Sequence, residues 1–485
     1  MPSSSPAIKI PSGLVRPVLG PVPASGSRPS TLDPRLSPYE PTPTNPWDRR
    51  KVAHLHRRAA FGATWAGLEE GVKLGPQKCV DRILNGTGPG TIREEDFASM
   101  ARTAVSAGSD RNLQGWWIFR MLAGGHPLVE RLALFWHDHF ATSQDKVANL
   151  ELMLRQNELF RKYSLGHFWD RQSGGLLLEI SRDAAMLVWL DSNSNRRAAP
   201  NENFAREIME LFALGIGNYS EKDIREAARG FTGWFVNRNQ FRFSSSEHDS
   251  GRKTVLDQTG DWDGGDVVRI VASQPAAARF LVAKLYRYLV NENEPPDSAV
   301  LEQLAAGYRE REYDTRWLIE TLLRSNVFFS PTAYRQKISS PIDLTVGTVR
   351  RLEGTRVSPV ALAEVCGKLG QTLFHPPNVA GWEEGKAWVN SSTLLGRSNF
   401  AQAITASRAG PFAGRTDPAA LAAKYGATSD AEVVQFFLEL LVDGDVPAET
   451  RKQLAQSLSI SSDARSDRIR RLVQLILSLP EYNLC

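Results

Sequence analysis

The stretch Asn201–Gly215 limits this chain more than any other, because it can only bury one side of a helix. At about 100° per residue, Phe204, Ile208, Leu211 and Phe212 fall on one face, and Asn203, Glu207 and Glu210 line up along its edge. Pro200 and Asn201 read as the start signal and Gly215 as the stop, which predicts one helix over 201–214. Carboxylates beside an apolar face are costly to bury unless they are paired or bound to a cation. The stripe is therefore a candidate site, with Arg206, Lys222, Arg225 and Arg229 as ordinary ion-pair partners in the competing reading.

The same helical period recurs along most of the 485 residues. Helices are expected from Trp47 onward, over about 126–140, 147–163, 174–190, 201–214 and 221–232, with Ser220 and Asp223 as an approximate capping box for the last. More follow at about 266–272, 276–290, 298–309, 314–325, 341–352 and 358–369, and in a C-terminal helical part over about 391–485, for around fifteen in all. The period changes at Trp234–Phe243, which alternates around an Asn-rich turn and reads as a β-hairpin. Residues 1–46 are rich in Pro and Ser and are expected to form a disordered or wrapping arm. The expected fold is mainly α: a large multi-helical single domain over 47–485 with a β-hairpin insertion and a disordered Pro/Ser-rich N-terminal arm.

Composition excludes several classes. The formal charge is +4, from 58 Lys and Arg against 54 Asp and Glu. With no basic block, nucleic acid is not an expected partner. The three cysteines, Cys79, Cys366 and Cys485, form no C-x-x-C pair, so neither a disulfide framework nor a thiolate zinc site is indicated. No run of about 18 apolar residues predicts a membrane span. The start has no visible signal-peptide core, which predicts a cytoplasmic protein. P-loop, H-E-x-x-H and G-x-S-x-G motifs are absent.

Three further blocks carry candidate chemistry. His137-Asp138-His139 offers paired imidazoles as metal ligands, with Glu207 as a third donor, but in a continuous helix the two rings point to nearly opposite sides. Chelation requires the helix to end near Trp136; the competing reading is a hydrogen-bonded core or pocket histidine. His248-Asp249-Ser250-Gly251-Arg252-Lys253 reads either as a base with its orienter and an anion contact, or as an Asx-type turn with Gly251 at positive φ. Trp382 and Trp388, among glycines and acids, read as a sugar-stacking platform or as loop clamps.

Phe135–Phe140, the run from Asn201 to Trp234, His248–Lys253, Pro376–Trp382 and Trp388 together resemble the uncharacterised bacterial family catalogued as domain of unknown function 1800. The resemblance implies a largely helical protein, often encoded beside a sulfatase-like protein, and relatives that often carry export signals. It implies no established activity. The leading functional expectation is a hydrolase-like enzyme, assisted in one version by a divalent metal ion. Glu207, Glu210, His248 and Asp249 are its catalytic groups, Asn203, Arg206 and Lys253 its substrate contacts, and His137, His139 and Glu207 the ligands of any metal. The alternatives are a noncatalytic helical scaffold for the sulfatase-like partner, or a polysaccharide-binding protein using Trp382 and Trp388.

Overall fold

In a computed structural model of the chain, the described residues are 33–86, 90, 92–459 and 463–485. Residues 33–485 form one compact unit. Polar caps punctuate it: Ser220/Asp223, Asp263/Asp266, Ser340/Asp343 and Ser429/Glu432 each make a reciprocal capping box that satisfies amides a helix start leaves unpaired. Among the described residues there are twenty-three α-helices and two small antiparallel hairpins, so the molecule is mainly α.

The helix count exceeds the expected fifteen mainly because 64–125 and 391–485, read only as helical regions, hold several short helices each, and in one place because a side-chain cap cuts an apolar run. The segment expected as one helix over 174–190 divides into Gly175–Ser181 and Ala184–Trp189, since the Asp183 side chain accepts the Met186 amide and starts a new helix. The hairpin is formed by β1 (Trp234–Asn237) and β2 (Gln240–Phe243), with Arg238 and Asn239 both at positive φ in the turn. A second hairpin, β3 (Lys253–Val255) and β4 (Gln258–Gly260), has the same turn geometry at Leu256 and Asp257. Neither of those residues announces a left-handed turn in sequence, so this hairpin went unexpected.

The helix Pro127–His139 lies at the centre and is buried nearly all round, including Glu130 and Arg131. Glu130 accepts from Trp117 Nε1 at 3.0 Å, Arg120 Nε at 2.9 Å and Arg161 Nε at 2.8 Å. Arg131 pairs with Asp343 at 2.5 Å. Pairing outweighs desolvation in both carboxylates, whose pKa values lie below the ordinary ones despite full burial.

Of the segment expected as an arm, residues 1–32 lie outside the described residues. Residues 33–46 lie against the helical unit: Leu36 and Tyr39 are buried, and the Tyr39 amide donates to Arg324 O at 2.7 Å. Among the described residues no helix is long and apolar enough to cross a membrane.

A candidate acid–base site at a surface groove

The segment expected as one regular helix changes its winding in the middle. Asn203–Glu207 is α-helical, and Ile208–Ala213 is a π-helix, closed by Leu214 N donating to Met209 O at 2.9 Å, five residues back. Such turns are rare and concentrate at functional sites. Gly215 at φ +79° and Gly217 at φ +89° then carry the chain around the exposed Ile216.

The π-helix and the helix Pro275–Leu289 enclose an open groove of about 530 Å³. Leu211, Leu214, Ile216 and Phe280 supply its apolar wall, and Glu210, Arg279 and Lys284 its charged groups. Glu210 accepts from the Tyr219 hydroxyl at 2.6 Å. Lys284 takes the place of an apolar residue on the stripe Ala277, Leu281, Lys284, Tyr288, so its stem is drawn inward.

Lys284 Nζ sits 3.0 Å from His139 Nδ1, and His139 Nε2 sits 3.0 Å from Phe212 O, a carbonyl near the end of the π-helix. A carbonyl only accepts, so Nε2 carries the ring proton and donates it; Nδ1 is then a bare lone pair that accepts from the lysine. Burial, followed by the neighbouring Lys284, holds the His139 pKa well below its ordinary value and keeps the ring neutral. Burial also lowers the Lys284 pKa, against the opposing pull of Asp138 and Glu384. Among the described residues no carboxylate lies within ion-pair distance of Nζ, and the Phe280 ring centre is 5.3 Å away.

Asp138, between the two histidines, turns toward the loop Gly381–Trp388. Its Oδ1 accepts from the Trp382 amide at 2.8 Å. Burial, and then the charge of Glu384, push its pKa up to about 7, with that amide, Lys284 and Lys337 opposing. Asp138, Lys337, Trp382, Glu384 and Trp388 line a narrow cavity of about 20 Å³, on the scale of one water.

The other residues singled out from sequence are placed as follows. The helix runs unbroken to His139, so His137 leaves on another side, buried among Trp117, Phe374 and Trp382 with Nε2 unpartnered. Burial lowers its pKa to about 3. Glu207 is half-buried, its pKa raised by burial and then by Glu210. Asn203 donates to Leu190 O, and Arg206 pairs with Glu202 and Glu221.

His248 Nδ1 meets Thr232 O at 2.9 Å, and Asp249 pairs with Arg229 and accepts the Gly251 amide as in an Asx turn. Gly251 is not at positive φ, because the two-residue reach of the Asp249 side chain closes the turn without it. Lys253 donates to the Asp249 and Gly251 carbonyls, so this block satisfies its polar groups largely within itself. Trp382 and Trp388 are each 6% exposed and clamp the loop over Asp138.

The structure therefore joins His139 and Glu210 through Lys284 and the groove, while His248–Lys253 belongs to the Thr232–Arg229 corner. Among the described residues no group of three or more His, Cys, Asp and Glu side chains is arranged to hold a metal ion. Asp138, Lys284 and Glu384 were missed from sequence. The available signal was a lysine on an otherwise apolar stripe.

These features define a mainly helical protein in which a half-buried amine, bonded to a buried imidazole, opens onto a surface groove. The chain belongs to a family described as protein of unknown function (DUF1800), whose model matches residues 54–484. Comparison with curated proteins and with solved structures gives no match.

Proposed function

We propose that the groove is the active site of an enzyme acting by acid–base chemistry, with Lys284 as the base. One observation carries this reading: a half-buried amine, hydrogen-bonded to a neutral imidazole and without a contacting carboxylate among the described residues, also lines an open groove. An unpaired ammonium is costly to keep in such surroundings, so the neutral amine gains population near neutral pH, and a neutral amine takes up protons or attacks electrophiles. His139 is the positioning residue, because its fixed tautomer turns a lone pair toward Nζ.

The hydrolase-like expectation survives here as a reaction class, with its base moved from Glu207 and His248 to Lys284. Glu210 supplies a wall carboxylate, and Glu207 a second group able to hold a proton. The test is competitive acetylation of all lysines across pH, read per residue by mass spectrometry. The expected result is a Lys284 midpoint clearly below the ordinary lysine value of about 10.4. An ordinary midpoint overturns the enzymatic reading and leaves the helical scaffold for a sulfatase-like partner in its place.

A further inference from the structure

We propose that Lys284 forms an imine with a neutral, mainly apolar aldehyde or ketone held in the groove, an inference that rests on the amine reading above.

Three observations lead to a carbonyl compound. The groove, at about 530 Å³, suits a small molecule, and Lys284 is the amine on its lining. Nζ faces a neutral ring nitrogen at 3.0 Å on a half-buried side chain with no carboxylate in contact among the described residues, surroundings less favourable to an ammonium than water. The His139 tautomer draws one N–H toward Nδ1, which leaves the nitrogen lone pair free to turn away from the histidine.

The walls decide which carbonyl compound fits. Leu211, Leu214 and Phe280 are apolar, and Ile216, 80% exposed between two glycines at positive φ, extends that surface at the rim. The second lining cation, Arg279, is paired with Glu302 at 2.6 Å, and Glu210 adds a carboxylate to the wall. A keto acid would meet that carboxylate with no free cation among the described lining residues other than Lys284 itself, so a neutral carbonyl is favoured.

The step balances as follows. The nitrogen lone pair forms a bond to the carbonyl carbon, and the π pair moves to oxygen. The oxygen takes the proton shed by nitrogen, giving a carbinolamine. One proton from water in the open groove then leaves with the hydroxyl as water, and the nitrogen pair closes a C=N bond carrying one positive charge. The hydroxide left by that water passes to bulk solvent through the open groove, so atoms and charge balance.

The experiment exposes the full-length wild-type protein at pH 7 to pentanal with cyanoborohydride, or to glyoxylate under the same conditions, and reads reductive alkylation at each lysine by mass spectrometry. The expected result is labelling of Lys284 at least tenfold faster than surface lysines, saturating with pentanal and slower with glyoxylate. His139→Gln should slow labelling at Lys284 and leave the other lysines unchanged. Labelling of Lys284 no faster than the surface lysines overturns the imine. If acetylation still gives a low midpoint, only the imine falls; if the midpoint is ordinary, the base reading falls with it. Faster labelling by glyoxylate overturns the neutral, apolar class.

Discussion

At the scale of single residues, two neighbours on one helix carry opposite pH dependence. His137 is neutral in the fold down to about pH 3, whereas an unfolded histidine takes its proton near 6.5, so stability falls as pH drops through that window. Asp138 is the reverse: its folded pKa of about 7 exceeds the ordinary 3.8, the folded state holds the proton longer, and stability falls as pH rises across that interval. His137→Phe keeps the ring among Trp117, Phe374 and Trp382 and removes an imidazole whose Nε2 has no partner. The variant should fold and should lose the His137 share of the acid-side decline, about 1.4 kcal/mol per pH unit at its steepest. Urea unfolding of both proteins between pH 4 and 7 measures it; an unchanged acid limb contradicts the assignment.

At the scale of elements, the candidate site depends on two departures from regular winding. The π-helix places the Phe212 carbonyl where His139 can donate to it. The loop at Gly381 packs backbone against Asp138 so closely that a Cβ there would overlap Oδ1 and lie 2.7 Å from the Asp138 carbonyl oxygen, at φ +91°. Gly381→Ala should therefore cost about 2 kcal/mol or more and, by lifting the loop, lower the Asp138 pKa toward the ordinary carboxyl range. Gly75→Ala is the control, because its φ is +79° and nothing lies within 4 Å of the added methyl. It should cost about 1 kcal/mol. Equal losses in chemical unfolding would show that backbone conformation alone, not the contact with Asp138, sets the Gly381 requirement.

Much at this scale was legible beforehand. Apolar periodicity located the long helices, Ser220 and Asp223 announced their capping box, and the alternation at Trp234–Phe243 announced β1 and β2. The π winding was not legible, since the same Phe204, Ile208, Leu211 and Phe212 spacing also satisfies an ordinary helix.

At the scale of the whole molecule, the stretch 33–46 is tied to the folded unit by hydrogen bonds and ion pairs, several of them exposed, and by two buried side chains. Leu36 and Tyr39 are 2% and 1% exposed, and the Tyr39 ring centre lies 5.0 Å from that of Phe329. Deleting residues 1–46 should cost about 3 to 6 kcal/mol, from about 1.5 to 3 for each large side chain lost. Trp47, 5.5 Å from Phe329, should shift its fluorescence to the red as Tyr39 leaves. A deletion variant as stable as the full chain would mean that the stretch only decorates the surface.

The sequence by itself determined the helical class and the edge of the 201–214 segment on which Glu210 stands, because these follow from local spacing and local capping, and its motifs in their order carried the resemblance to the family. Only the tertiary structure decided that His139 faces Lys284, that Asp138 accepts from the Trp382 amide, and that His248 meets the Thr232 carbonyl. Each of those depends on residues between 16 and 244 positions apart meeting in space. A lysine among leucines carries no mark of its partner: burial and the neighbouring dipoles set its charge, and both exist only once the chain has folded.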